Sequence, residues 1–199
     1  MTLKTGFYPI PRGHLGMVVT YLEMTKPPSD MKDVPLADVV TLRRVNDPDL
    51  GWYRDLIQRV GEDWLWQAQL ARTDDDLAQI TSNPNLEISV VEAEGRAEGI
   101  AELDFRADGV CELTHYGLTK SMIGSGVGRH LMTAAIRRAF ENGATRFYLH
   151  TCTLDSPQAL DFYLRSGFKI TKQGIEIMPD PRLNGVLPED AAPQIPKLP

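Results

Sequence analysis

Cysteine is nearly missing from this chain. Its 199 residues hold two, Cys111 and Cys152, together with only four histidines. Two thiols cannot build a disulfide framework. Both fall in stretches that read as strands, where reduced thiols are the ordinary state in a cytoplasmic protein. No His, Cys or acid cluster has metal-ligand spacing, so no metal site is expected. No apolar run is long enough to cross a bilayer, and Met1 to Gly6 lack the apolar core of a secretory leader. Positive charge is short as well: 21 Lys and Arg face 27 Asp and Glu, a formal net charge of −6. That balance argues against a nucleic-acid surface and is compatible with a cationic small partner. An apolar content of 42% suffices for one domain with a proper core.

What the chain does have is a glycine-rich loop, Gly124-Ser125-Gly126-Val127-Gly128, between a strand-like stretch and an amphipathic helix. Such a loop exposes backbone N–H groups at a helix start, where the dipole adds positive charge, and so suits a phosphate. A mononucleotide loop needs Lys-Ser or Lys-Thr after the glycines, which is absent here. A dinucleotide loop needs its third glycine one residue later, where Arg129 stands, and belongs in a first βαβ unit. The pyrophosphate of coenzyme A is the third candidate.

Around the loop the pattern predicts strands over 17–24, 39–45, 86–94, 97–106, 110–118, 146–152 and 168–177. Gly95-Arg96 makes a hairpin between the third and fourth of these. Asn46 or Asp47 is expected to cap a helix running to about Val60, with Pro48 in its first turn. A second helical region is expected from Glu62 to Ser82, breaking near Thr73. The helix after the loop presents Val127, Leu131, Met132, Ala135, Ile136, Ala139 and Phe140 on one face. Ser156 is expected to cap a last helix that ends at Gly167. Residues 1–36 form an extension with an added strand, 37–178 the main domain and 179–199 a proline-rich, loosely packed tail. The fold class is α/β, a mixed, mostly antiparallel sheet flanked by helices.

The run Leu118 to Leu131 resembles the acetyl-CoA loop of the GNAT superfamily of N-acetyltransferases, of the form Arg/Gln-x-x-Gly-x-Gly/Ala. Ser156-Pro157-Gln158-Ala159-Leu160-Asp161-Phe162-Tyr163-Leu164-Arg165-Ser166-Gly167-Phe168 resembles that family's second signature, Asn-x-x-Ala-x-x-x-Tyr-x-x-x-Gly-Phe. Ile123 stands where Arg or Gln is usual, and Ser156 where Asn is usual. The resemblance implies acetyl-CoA as co-substrate, between central strands that part to admit the pantetheine arm. It implies Leu118, Thr119, Ser125, Gly126, Val127, Gly128, Arg129, Ser156 and Ala159 at the cofactor, with a backbone N–H near Leu118 for the oxyanion. The acceptor is then a small-molecule or peptide amine, attacked directly in a ternary complex. A homodimer through the added strand or tail is compatible with the sequence.

Acetyl transfer needs a neutral amine, a stabilised oxyanion and a protonated leaving thiolate. Tyr163, the tyrosine of the second signature, is the candidate acid; its alternative role is packing beside Phe162 and Phe168, with Phe162 expected to face the core. Glu112 is the candidate base, since some GNAT enzymes carry a glutamate at the matching position. Glu102 on the neighbouring strand and His115 are rivals, as is proton loss to solvent. Trp52, Trp64 and Trp66 precede the hairpin, where the acceptor pocket is expected. A non-catalytic acyl-CoA sensor of the same fold is the alternative function, and a dehydrogenase with a degenerate loop a more distant one.

Overall fold

The computed structural model describes residues 3–32, 35–37 and 39–199. Met1 and Thr2, part of the leaderless reading, lie outside the described residues. One seven-stranded sheet runs through the molecule, formed by β1 (His14–Met24), β2 (Val40–Val45), β3 (Leu86–Ala93), β4 (Arg96–Asp104), β5 (Val110–Leu118), β6 (Arg146–Cys152) and β7 (Lys169–Pro179). The strand order is β2-β3-β4-β5-β6-β1-β7. Every neighbouring pair is antiparallel except β5 and β6, which are parallel. The α-helices are α1 (Leu50–Gly61), α2 (Asp74–Thr81), α3 (Val127–Glu141) and α4 (Ala159–Arg165).

Side-chain periodicity covers both faces of the sheet. On α1, Tyr53, Leu56, Ile57 and Val60 recur at helical spacing and pack on Ile88, Val90 and Ile100. On the other face, Leu131, Met132, Ala135, Ile136 and Ala139 of α3 pack on Ala101, Leu103, Cys111, Leu113 and Phe147. Each of these large side chains contributes about 1.5–3 kcal/mol of burial free energy.

Three local expectations are corrected. Asp49, not Asn46 or Asp47, caps α1: its Oδ1 accepts from the Trp52 amide at 2.8 Å. Residues 62–73 do not form an α-helix. A single 3-10 turn, Glu62–Trp64, ends at Leu65 with φ +55°. The chain folds back so that Trp66 lies over Gly61, where a Cβ would strike its side chain. α4 starts at Ala159, because Ser156 and Pro157 make a turn in which the Ser156 carbonyl accepts from the Ala159 amide at 2.9 Å. Thr73 does cap α2, accepting from the Asp76 amide.

The first strand and the C-terminal tail are built into the fold. β1 is an interior strand, with Val19 opposite Cys152 of β6 on one side and Gly174 of β7 on the other. The tail is packed, contrary to expectation. Leu187, Ala191 and Ala192 are buried against Leu15 and Leu65. Buried Arg182 pairs with Asp180 at 2.7 Å and donates to the carbonyls of Ala191, Ala192 and Ile195. Irregular chain rich in proline has carbonyls but few donors of its own, and one guanidinium supplies several.

Candidate active site

Parallel pairing between β5 and β6 covers only Val110–Arg146, Cys111–Phe147 and Glu112–Tyr148. Beyond it the strands part. β5 stays with β4 as far as the Leu118–Gly99 pair, while β6 stays with β1 as far as Cys152–Val19. From Leu113 onward the facing edges of β5 and β6 have no strand partner among the described residues. The result is a wedge whose walls carry backbone donors and acceptors.

At the open end of β5 sits the glycine loop. Gly124 and Gly126 have φ of +84° and +87°, a region that favours glycine, and nothing lies within 4 Å of where a Cβ would project from either. Gly126 is the N-cap of α3. The Val127 amide meets Ser125 Oγ, and the amides of Arg129 and His130 turn back to the Gly126 carbonyl. Ser125 Oγ itself donates to the Met122 carbonyl at 2.7 Å, so its side chain shapes the turn. Arg129 is exposed at the helix start. Leu118 packs against the Gly128 position. Thr119 is buried, its amide bound to the Glu98 carbonyl and its hydroxyl to the Glu98 carboxylate. Ser156 and Ala159 are half-buried where the chain leaves β6 for α4.

Beneath the loop lies an aromatic group. The Tyr116 hydroxyl donates to the Gly128 carbonyl, tying β5 to α3. Its ring stacks on Phe162 at 5.7 Å and meets Tyr163 edge-on at 6.1 Å. Tyr163 is the more buried of the α4 pair and joins the core with Phe168, while Phe162 is half-buried; the expectation that Phe162 takes the core position is corrected. The Tyr163 hydroxyl makes no hydrogen bond among the described residues. Burial, with the Asp155 carboxylate a second cause, pushes its pKa up and keeps the phenol protonated.

The candidate bases fall into two groups on the α1 side of the sheet. Glu112 lies on the paired stretch, where it accepts from the Tyr148 hydroxyl at 2.7 Å and sits 3.7 Å from His150 Nδ1. It lines a hollow of about 320 Å³ with Asp104, Arg106 and Tyr148, at the opposite end of β5 from the glycine loop. The second group forms at a bulge. Glu102 of β4 opposes His115, but Leu103 opposes Leu113, so Thr114 is an extra residue. The bulge turns Thr114 and His115 to the same side, and both bind Glu102: Thr114 Oγ1 at 3.1 Å and His115 Nδ1 at 2.6 Å. The Tyr53 hydroxyl donates to the other oxygen. Glu102 is wholly buried; burial opposes its charge, but His115 and the bonds from His115, Tyr53 and Thr114 outweigh it and lower its pKa.

Trp66 closes this side. Its ring meets His115 edge-on at 5.4 Å, and its Nε1 donates to Asp155 at 3.4 Å. Asp155 also accepts from Thr151 Oγ1 and the Cys152 amide, at 2.7 and 2.8 Å. Sequence reasoning missed Asp155, Tyr53 and Thr114; only the Thr151–Asp155 spacing at a strand end hinted at the first. Burial pushes the Cys111 thiol up, and burial with Asp155 pushes Cys152 up to about 11, so neither is an activated nucleophile. Among the described residues no group of His, Cys, Asp and Glu could hold a metal ion, and no helix is long and apolar enough to cross a membrane.

Residues 53–168 match the family model described as the acetyltransferase (GNAT) family. No curated protein matches the chain. Among solved structures, a GCN5-related N-acetyltransferase from Kribbella flavida is similar at 21% identity and a TM-score of 0.54, covering 83% of this chain and 60% of that one. A putative acetyltransferase from the GNAT family of Novosphingobium aromaticivorans is similar at 14% identity and 0.57, over 84% and 67%. An aminoglycoside N-acetyltransferase in complex with CoA is similar at 22% identity and 0.51, over 70% and 93%. The chain spans less than two thirds of the Kribbella protein and 63% of a functionally unknown Staphylococcus epidermidis protein it also resembles.

Proposed function

This chain belongs to the GNAT acetyltransferase family, and from that premise we propose that it transfers the acetyl group of acetyl-CoA to a primary amine by direct attack. The observation that carries the proposal is the parting of β5 and β6 directly ahead of the glycine loop. The pyrophosphate fits the loop from Ser125 to Arg129 at the start of α3, where the helix dipole and the open glycine backbone face it. The pantetheine arm lies in the wedge, its amides against the unpaired edge of β5 near Leu118, where a backbone N–H faces the oxyanion. Thr119, Ser156 and Ala159 border the arm.

The thioester then lies between Tyr163 on one side of the wedge and the acceptor on the other. The amine lone pair attacks the carbonyl carbon, the C–S bond breaks, and the Tyr163 hydroxyl protonates the thiolate. A hydroxyl without a hydrogen-bond partner among the described residues is available for that step, and burial keeps its proton in place until a stronger base than water forms beside it. Trp66 and Asp155 line the acceptor side, an aromatic face beside a carboxylate, which suits a cationic amine.

Calorimetric titration with acetyl-CoA, followed by CoA release across a panel of small amines and peptides, tests the reading. Binding with acceptor-dependent release is expected. Binding without release from any amine overturns transfer and leaves an acyl-CoA sensor; no binding overturns both.

A further inference from the structure

We infer that His115 is the base that takes the proton of the acceptor amine, with buried Glu102 as its positioning residue. This rests on the acetyltransferase reading. The bulge at Thr114 brings the imidazole to a carboxylate that has no contact with solvent. Glu102 accepts from Tyr53 Oη, Thr114 Oγ1 and His115 Nδ1. An ionised carboxylate is acceptor-only, so the proton of a neutral imidazole is held on Nδ1 and the lone pair is left on Nε2. Nε2 has no hydrogen-bond partner among the described residues, and the side chain keeps 13% of its surface open. A ring fixed at one nitrogen by a buried carboxylate, with the other nitrogen accessible, is the arrangement by which a histidine acts as an oriented general base.

Position agrees with the role. His115 lies three residues past Glu112, the last residue of β5 paired with β6, and so stands within the parted stretch that forms the wedge. Gly117 follows on the same side; a Cβ there would strike Val60 and Trp66. The charged and titratable groups around the imidazole are Glu102 from β4, Tyr53 from α1, and, more distantly, Arg72 beside Tyr53 and Asp155 beyond Trp66. Tyr53 stays protonated, since burial and Glu102 both raise its pKa. Glu102 is therefore the anion in direct contact with the ring.

The protons balance as follows. The acceptor enters as an ammonium, and Nε2 takes one proton, leaving an imidazolium whose charge Glu102 offsets. The freed lone pair forms the N–C bond while the C–S bond breaks. A second proton leaves the nitrogen and replaces the one that Tyr163 gives to the sulfur. The products are the amide and the CoA thiol, and the imidazolium returns its proton to solvent.

The test is the pH dependence of kcat/KM for an alkylamine, measured by CoA release from about pH 5 to about pH 10. Wild type should rise with pH and level off before the acceptor ammonium itself loses its proton in solution. His115→Asn keeps a donor for Glu102 and removes the base. It should lose roughly 10²–10⁴-fold at neutral pH and keep climbing to the ammonium pKa, with acetyl-CoA affinity unchanged. Imidazole should restore part of the rate to His115→Ala and none to Tyr163→Phe. Glu102→Gln should lower kcat and alter the rising limb of the pH profile while KM for acetyl-CoA stays unchanged, because the imidazolium loses its counter-charge. A His115→Asn protein that folds, binds acetyl-CoA and keeps the wild-type profile overturns the inference alone. So does loss of the limb in Glu112→Gln with its retention in His115→Asn. A wild-type protein that binds acetyl-CoA but acetylates no amine overturns the transferase reading and the base with it.

Discussion

Two carboxylate–imidazole pairs lie on one side of the same sheet, and they differ in almost every physical respect. Glu102 and His115 are 2.6 Å apart, with the carboxylate wholly buried and bound by two further hydroxyls. Glu112 and His150 are 3.7 Å apart, with 26% and 46% of their side chains exposed. His115 of the first pair stands where β5 and β6 have parted, whereas Glu112 of the second lies on the last joined residue pair. A buried, fully bonded carboxylate fixes the proton and the orientation of its partner. An open pair exchanges with water, and solvent screens its attraction. Residue type alone does not distinguish the two.

The comparison breaks most visibly in stability. Glu102→Ala strips the common acceptor from Tyr53, Thr114 and His115 and should cost about 3–5 kcal/mol; Glu112→Ala should cost less than about 1 kcal/mol. Urea unfolding of the two variants measures the difference, and near-equal losses would mean that the inner pair is not the dry, saturated group described.

The acid on the other side of the wedge sharpens the contrast, because its hydroxyl has no hydrogen-bond partner among the described residues to lose. Tyr163→Phe should therefore leave the melting temperature and acetyl-CoA affinity unchanged while kcat falls roughly ten- to a thousandfold. Single-turnover kinetics locates the loss in the chemical step, and wild-type turnover would return Tyr163 to a packing role. For the cofactor, Gly126→Ala puts a side chain on a residue with φ +87°, a strain of about 1–2 kcal/mol. It should also weaken acetyl-CoA roughly tenfold by calorimetry, about 1.4 kcal/mol. Unchanged affinity in the folded variant would remove the loop from the site.

The smallest effect belongs to the outer pair. The neighbouring Glu112 carboxylate raises the His150 pKa; His150 and the Tyr148 hydroxyl, against burial, lower that of Glu112. The histidine's share of stability is full below its ordinary value of 6.5 and fades as pH rises through the raised value. The carboxylate's share is present above its ordinary 4.5 and fades as pH falls through the lowered one. The melting-temperature gap between wild type and Glu112→Gln should be widest between those ordinary values and shrink on both sides. A gap independent of pH would show that the pair does not titrate as a unit.

Most of the sheet was legible because its signals are local. Alternation in 86–94 and 97–106 and the turn at Gly95 need no distant partner. The loop and α3 were legible for the same reason, in the glycines and the apolar stripe. What stayed hidden depends on register or distant contact. Strict alternation from Glu112 puts Thr114 with it and His115 on the opposite face; only the bulge, set by pairing with β4, brings His115 to Glu102. Trp66 folding over Gly61 ended a helix that propensity would continue. The tail reads as loose by composition, yet Arg182 gathers its carbonyls. Among the candidate site residues, the open glycines and Tyr163 were visible from spacing, whereas Asp155 was marked by no pattern stronger than a strand end.

The interior place of β1 has a consequence for how the molecule is made. A ribosome produces β1 first, and both strands it pairs with, β6 and β7, only after nearly all the rest of the sheet. During synthesis its two edges stay without partners, and they close only by contacts that bridge most of the chain's length. Exposed strand edges invite association with other chains. A slow final refolding phase, together with aggregation that rises with protein concentration, is the signature such an arrangement should leave, and shielding of β1 by chaperones is the corresponding need in a cell.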